Sequence, residues 1–118
     1  MQNFESIRPY KDAEVPKAVK RLTSNIFFPW LVNTLAPDKN LKTVTEKIKE
    51  IKTVKEFQEK VSFSVIRRII EQSITKFTCE GWEQLDKDQP YLFVSNHRDI
   101  VLDAALLNYH FFKIDIPQ

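Results

Sequence analysis

The sequence predicts a mainly α-helical chain, in which an N-terminal helical bundle leads into the first strands and helix of an α/β domain. Apolar residues between positions 12 and 75 recur every three or four residues, which is the spacing of amphipathic helices. A single glycine in 118 residues also fits a largely helical chain. After residue 75 the apolar residues form short runs that are typical of strands. We therefore predict a helical region at 1–75 and the incomplete start of an α/β domain at 76–118.

Composition and charge exclude several classes of protein. The 18 basic and 16 acidic residues give a net charge of +2, which is too balanced to indicate nucleic-acid binding. The N-terminus is polar and mixed in charge, unlike a signal peptide, and no apolar run approaches the roughly 20 residues of a spanning helix. Cys79 is the single cysteine, so it has no internal disulfide partner and indicates a reduced, cytoplasmic setting.

Two helices are predicted in the first third of the chain. Asp12 is a suitable N-cap for the first helix, and Pro16 is tolerated in its first turn. The apolar face of this helix consists of Val15, Ala18, Val19, Leu22 and Ile26. A second, short helix follows from Pro29 onward. The aromatic segment Phe27–Trp30 has two interpretations, namely the bundle core, which we expect, or a membrane surface. The cations near such a surface are Arg21, Lys39 and Lys42.

Two further helices complete the predicted bundle. The apolar face of the third helix consists of Leu41, Val44, Ile48 and Ile51. Thr53 and Glu56 form a capping box, which opens the longest helix of the chain. We expect this fourth helix to reach about Thr75. Because the links between these segments are short, neighbouring helices are predicted to pack in an antiparallel manner.

The region that follows is predicted to contain two strands and a helix. Residues 76–80 alternate between polar and apolar, as in a short edge strand, and Gly81 marks a turn. Tyr91–Val94 is a continuous apolar run, the composition of a strand that is buried on both faces. From Ile100 to Phe112 the sequence is apolar nearly all round, so this helix needs cover on several sides.

The sharpest chemical signal lies between the second strand and this last helix. His97 stands where the strand gives way to the helix, and Asp99 and Asp103 lie four residues apart on one helix face. A histidine with a carboxylate one turn away can be held in one tautomer and act as a base. Asp99 also suits the helix N-terminus, where a carboxylate meets unpaired N–H groups. His110, near the other end of the helix, is interpreted as structural.

An ordered set of residues surrounds this turn. The set consists of Cys79–Leu85 (CEGWEQL), Pro90, Val94–His97 and Leu102–Asp103. It resembles the opening block of the phospholipid/glycerol acyltransferases, which include the lysophosphatidate acyltransferases. That block has a strand with Gly-x-Glu-Asn-Leu, a proline-led apolar strand, and Asn-His followed after four residues by Asp. Here five residues separate His97 from Asp103, so we align a one-residue insertion in the turn and keep Asp99 as the rival partner.

The resemblance covers residues 77–107 and implies an activity. It implies transfer of an acyl chain from acyl-CoA or acyl carrier protein to a glycerol-phosphate or lysophospholipid hydroxyl in phospholipid synthesis, with no bound cofactor or metal. His97 would be the general base, and Asp103 would orient it. Asn96 and Arg98 would lie on the substrate side, where a guanidinium matches the geometry of a phosphate. A solvated arginine and a turn-forming asparagine are the plainer alternatives.

The same resemblance indicates that more chain is needed for activity. The family's later blocks, including its Glu-Gly-Thr segment and basic phosphate contacts, are absent from these 118 residues. We therefore expect the front part of a longer cytoplasmic enzyme, peripheral at the inner face of a membrane. By itself this part is expected to be inactive and to associate through the apolar helix at 100–112. The alternative is a non-catalytic helical interaction module whose His-Asp turn is structural.

Overall fold

The chain is mainly helical in the computed structural model, which describes residues 4–96 and 98–115. The α-helices are α1 (Val15–Thr23), α2 (Phe28–Leu35), α3 (Leu41–Lys49), α4 (Val54–Phe57), α5 (Phe63–Ser73) and α6 (Leu102–Lys113). A π-helical stretch, Gln58–Ser62, lies between α4 and α5. Short 3₁₀ turns occupy Asp12–Glu14 and Trp82–Gln84. The predicted mainly helical class is therefore confirmed for the described residues.

The first of two compact units, Met1–Val65, is built around one apolar core. Within it, α1 and α2 each pack against α3. The buried side chains of this core are Val15, Val19, Phe28, Val32, Ile48 and Ile51. The partly buried side chains packed against them are Leu22, Leu41, Val44, Val54, Phe57 and Val61. The apolar faces predicted for α1 and α3 are thus largely confirmed, but Ile26 lies beyond the end of α1 and is 85% exposed.

Side-chain caps fix the starts of α3 and α4. Thr53 Oγ1 accepts a hydrogen bond from the N–H of Glu56 at 3.1 Å, so the predicted N-cap is confirmed. Asn40 Oδ1 accepts from the N–H groups of Lys42 and Thr43, at 2.9 and 3.2 Å. Each cap satisfies N–H groups that have no partner inside their own helix. These caps position both helices against the core.

Two carboxylates, those of Asp12 and Glu14, hold the described residues before α1, which we call the N-terminal arm. Asp12 does not cap its own helix as predicted; its Oδ1 accepts from the N–H of Val54, 42 residues later in the sequence, at 2.9 Å. The first N–H groups of α4 need partners, and this carboxylate supplies one from outside that helix. Glu14 binds the Arg8 guanidinium through both oxygens, at 2.8 and 2.9 Å, and accepts from the N–H of Lys11 at 2.7 Å.

The ion pair between Arg8 and Glu14 in the arm is expected to make a pH-dependent contribution to the stability of the fold. The Arg8 guanidinium, followed by the Lys11 N–H, lowers the pKa of Glu14 from 4.5 to about 2. An acid whose pKa falls on folding stabilises the fold above its unfolded pKa, and that contribution is lost as pH falls towards its folded pKa. We expect Glu14→Gln to lower the thermal unfolding midpoint modestly at neutral pH, because the pair is solvent-screened. The difference from wild type should shrink between pH 4.5 and 2.

Circular dichroism melts across this pH range check the prediction. Glu5→Gln is the matched control, because Glu5 also pairs with Arg8, at 2.7 Å, and its side chain is 68% exposed. We expect the control to have a smaller effect at neutral pH. A midpoint difference for Glu14→Gln that stays constant down to pH 2 would contradict the assigned ion pair.

The aromatic segment at the start of α2 divides between core and surface. Phe28 is 4% exposed and belongs to the core, as expected. Phe27 and Trp30 are 72% and 65% exposed, so the core prediction is wrong for both. A helix of eight residues presents only one face to a core, and Phe28 and Val32, four residues apart, already occupy that face.

The second compact unit, Ile66–Gln118, begins within α5, whereas the predicted boundary follows residue 75. The part of it that the structure describes contains no β-strand, so neither predicted strand is confirmed. The expected burial of Tyr91–Val94 is wrong, since Leu92 is 92% and Val94 is 89% exposed. A strand buried on both faces needs paired strands beside it and layers above and below. The described residues of this unit provide no such sheet.

Aromatic contacts give this unit its small buried centre. Tyr109 and Phe111 of α6 are buried, and the Phe111 ring lies 4.8 Å from that of Phe93. Gly81 adopts a φ of +81°, the left-handed conformation that glycine tolerates, directly before the Trp82 turn, so the turn predicted there is confirmed. The helix predicted at 100–112 is observed as Leu102–Lys113.

Candidate functional site

The candidate site is the turn that leads into α6. His97, the predicted base, lies outside the described residues. Asn96 and Arg98 on either side of it are both exposed. The predicted roles of these three residues therefore stay predictions, and the geometry of the turn comes from the two aspartates that follow.

Asp99 caps the turn that leads into α6, whose first residue is Leu102. Its Oδ1 accepts hydrogen bonds from the N–H groups of Val101 and Leu102, at 2.9 and 2.7 Å. These N–H groups lie two and three residues after Asp99, which is the usual pattern for an N-cap carboxylate. The negative charge also lies at the positive end of the helix dipole. The helix-start role expected for Asp99 is thus confirmed.

Asp103, in the first turn of α6, closes the loop from the other direction. Its Oδ2 accepts from the backbone N–H of Arg98 at 2.8 Å and from that of Asp99 at 2.9 Å. The N–H of Asp103 in turn points to the carbonyl oxygen of Asp99, 3.4 Å away. A side chain that reaches back to the cap residue while the cap side chain reaches forward is the logic of a capping box. We call the pair of Asp103 bonds the Asp103 clasp.

The clasp spans the turn from Arg98 to Asp103. A carboxylate four residues after the cap still reaches the N–H of Asp99 and also that of Arg98. Both aspartates therefore stabilise the local structure, Asp99 at the helix start and Asp103 across the turn. The negative charge of Asp103, which is only partly exposed, lies at the peptide that joins Arg98 to position 97.

His110 occupies a different environment, at the other end of α6. Its Nε2 is buried and has no hydrogen-bond partner among the described residues. The rings of Phe77 and Trp82 approach the imidazole edge-on, with centroids 6.2 and 6.3 Å away. Phe111 adds a third ring at 6.4 Å. This aromatic surrounding agrees with the structural role expected for His110.

One exposed apolar surface was expected in the core, with a membrane surface kept as the alternative for its aromatic residues. Ile26 and Phe27, between α1 and α2, and Trp30, in the first turn of α2, are exposed, although all three had been expected in the core. The available signal was the absence of any acidic residue from Val15 to Pro37. A basic and aromatic stretch without acids is more typical of a surface that meets something else than of a core.

Residues 4–96 and 98–115 contain neither a cluster of metal ligands nor a helix that could span a membrane. No three His, Cys, Asp or Glu side chains there lie close enough together to hold a metal ion. None of the helices has the length and apolar character needed to cross a bilayer.

Comparisons with known proteins yield no relative of this chain. No model of a protein family matches the sequence. No curated protein matches it either. The fold likewise has no match among solved structures.

Proposed function

We propose that this chain supplies the catalytic base of a glycerolipid O-acyltransferase and acts as part of a longer protein. The observation that carries the proposal is the Asp103 clasp on the N–H groups of Arg98 and Asp99. The N–H of Arg98 belongs to the peptide bond that joins it to His97. Asp103 thus binds the N–H of the residue that directly follows the proposed base in the chain, and we take Asp103 as the orienting partner of that base.

The proposed reaction is a direct attack of an acceptor hydroxyl on an acyl thioester. The acceptor is a glycerol-phosphate or lysophospholipid, and the donor is acyl-CoA or acyl carrier protein. His97 takes the hydroxyl proton as the new C–O bond forms, and Asp103 stabilises the imidazolium. The C–S bond then breaks, and the leaving thiolate receives the proton. The products are an ester and a free thiol, so the step needs no covalent enzyme intermediate.

The exposed neighbours of the turn fit the substrate side of this proposal. Arg98 and Asn96 are open to solvent, where a guanidinium can meet the phosphate of the acceptor. The backbone N–H of Arg98 is already used by Asp103, so the contribution of Arg98 to binding comes from its side chain.

The apolar surroundings of the turn support a longer protein. Leu92 and Val94 before the turn, and Ile100 and Val101 after it, are 69–92% exposed. Large exposed apolar patches are typical of surfaces that another element covers. We propose that further chain covers them and supplies the oxyanion donors and phosphate contacts that positioning requires. The whole would work in the cytoplasm, peripheral at the inner face of the membrane.

Acyl transfer by the complete gene product tests the proposal. Purified protein is incubated with a labelled acyl thioester and, in separate reactions, with glycerol 3-phosphate and with lysophosphatidate. We expect labelled ester together with a stoichiometric free thiol. Thiol release without ester would indicate hydrolysis, and the absence of both with all donor and acceptor pairs would remove the acyltransferase assignment. That last result would favour the interaction module with a structural turn.

A further inference from the structure

Three apolar side chains project from the connection between α1 and α2 and from the first turn of α2. Ile26 is 85%, Phe27 is 72% and Trp30 is 65% exposed. They follow one another at intervals of one and three residues, where α1 has ended and α2 begins. We call these three residues the α1–α2 corner. Side chains exposed to this degree stand out from the surface instead of lining a groove.

The backbone holds the corner in place without using these side chains. Asn25 Oδ1 accepts from the N–H of Phe27 at 2.9 Å, and the carbonyl oxygen of Asn25 accepts from the N–H of Phe28 at 3.0 Å. Phe28 and Val32 then anchor α2 in the core of the first unit. The corner is therefore a fixed feature, and its outward side chains are free to change without loss of core packing.

The sequence segment that contains the corner carries charge of one sign. No aspartate or glutamate occurs from Val15 to Pro37, whereas that stretch contains three cations. These cations are Lys17, Lys20 and Arg21, and all are exposed on α1. Lys20 and Arg21 occupy the last turn of α1, immediately before the corner. The segment thus combines projecting apolar rings with adjacent positive charge.

We propose that the α1–α2 corner docks on an anionic lipid surface. Tryptophan and phenylalanine rings enter the boundary between headgroups and acyl chains, while neighbouring lysines and arginines pair with anionic headgroups. A bilayer accepts side chains that project, and its negative surface complements a stretch without acids. This inference rests on the first unit alone and does not depend on the acyl transfer proposed above.

Sedimentation of the 118-residue chain with vesicles tests the docking. One set of vesicles contains phosphatidylcholine alone, and the other contains equal parts of phosphatidylcholine and phosphatidylglycerol. We expect binding to the anionic vesicles, little binding to the neutral ones, and a loss of binding as salt is raised. Light scattering of the protein alone first establishes its oligomeric state, so that self-association is not counted as binding.

Two pairs of variants assign the binding to the corner. Ile26→Ser/Phe27→Ser/Trp30→Ser should weaken binding by about tenfold or more. The matched control is Phe4→Ser/Ile7→Ser/Tyr10→Ser, which removes three other side chains that are 57–76% exposed and should leave binding unchanged.

The charge pair is Lys20→Gln/Arg21→Gln, expected to weaken binding by about fivefold for each cation. Its control is Lys47→Gln/Lys49→Gln, the same charge change in the last turn of α3. We expect the control to change the logarithm of the vesicle affinity by less than half as much as Lys20→Gln/Arg21→Gln does.

Fluorescence gives a second readout at the corner itself. The chain has two tryptophans, so Trp82→Phe leaves Trp30 as the reporter. We expect its emission to shift to shorter wavelength with anionic vesicles and to be quenched by brominated acyl chains. Absence of vesicle binding, equal losses in the corner variants and their controls, or an unchanged Trp30 spectrum on bound vesicles would each overturn the proposal. Failure here would leave the acyl-transfer assay unaffected.

Discussion

Replacing Asp103 with asparagine in the complete gene product is expected to lower acyl transfer by about ten-thousandfold while the fold is retained. Asparagine keeps an oxygen that can accept from the N–H groups of Arg98 and Asp99, so the clasp survives the change. What it removes is the negative charge that stabilises an imidazolium, and its amide favours the wrong histidine tautomer. The measurement is the rate of ester formation beside a circular dichroism spectrum.

Asp99→Asn is the matched control for this experiment. Asparagine is as good an N-cap as aspartate, so the bonds to Val101 and Leu102 should persist. The same chemical change, four residues away, should therefore leave most of the activity. His97→Ala should abolish transfer in the same assay, because it removes the base itself.

The pattern of the three rates decides the alignment of the turn. A large loss with Asp99→Asn and a small one with Asp103→Asn would mean that Asp99 partners His97 and that the one-residue insertion is misplaced. Wild-type turnover by His97→Ala would remove His97 from the mechanism, whatever the aspartates do.

Ile51→Ala is expected to destabilise the first unit by about 3 kcal/mol, the largest stability effect of any change considered. Ile51 is 1% exposed and lies in the core with the buried residues of α1, α2 and α3. Truncation removes the transfer free energy of the lost methyl groups and leaves a cavity. Urea unfolding followed by circular dichroism measures the change.

Ile26→Ala makes the same substitution at a position that is 85% exposed. We expect its effect on unfolding to stay within about 0.5 kcal/mol. Similar losses at both positions would show that Ile51 does not belong to a packed core.

The sequence predicted the helical part of the fold well where periodicity and chemistry agree. Val15 and Val19 in α1, and Ile48 in α3, lie at apolar positions of a helical pattern, and all three are buried. Thr53 followed by Glu56 marked a helix start that the structure confirms. Ile26 has the same spacing as its predecessors, yet α1 ends at Thr23. An apolar pattern can extend past the residue at which the helix ends. The burial predicted for the last apolar residue of a pattern is therefore the least secure.

The site was less predictable because its residues depend on partners outside the local sequence. Tyr91–Val94 has the composition of a buried strand, but composition cannot supply the neighbouring strands that burial requires. Asp12 was assigned to its own helix, whereas its carboxylate meets Val54, a contact no local rule anticipates. The capping role of Asp99 could be predicted, because capping follows local sequence spacing. Local spacing does not show whether Asp103 orients His97.

The bond between Asp12 and Val54 has a consequence for synthesis of the protein. It joins positions 42 residues apart, and side chains as late as Val61 pack on the same core. During translation the earliest helices therefore leave the ribosome before the residues that hold them closed. Until α4 emerges, the arm has no N–H of Val54 to bind and the core lacks its last cover. While only the residues up to α3 have emerged from the ribosome, Phe28 and Val32 lack their full cover, so a chaperone is most needed in that interval.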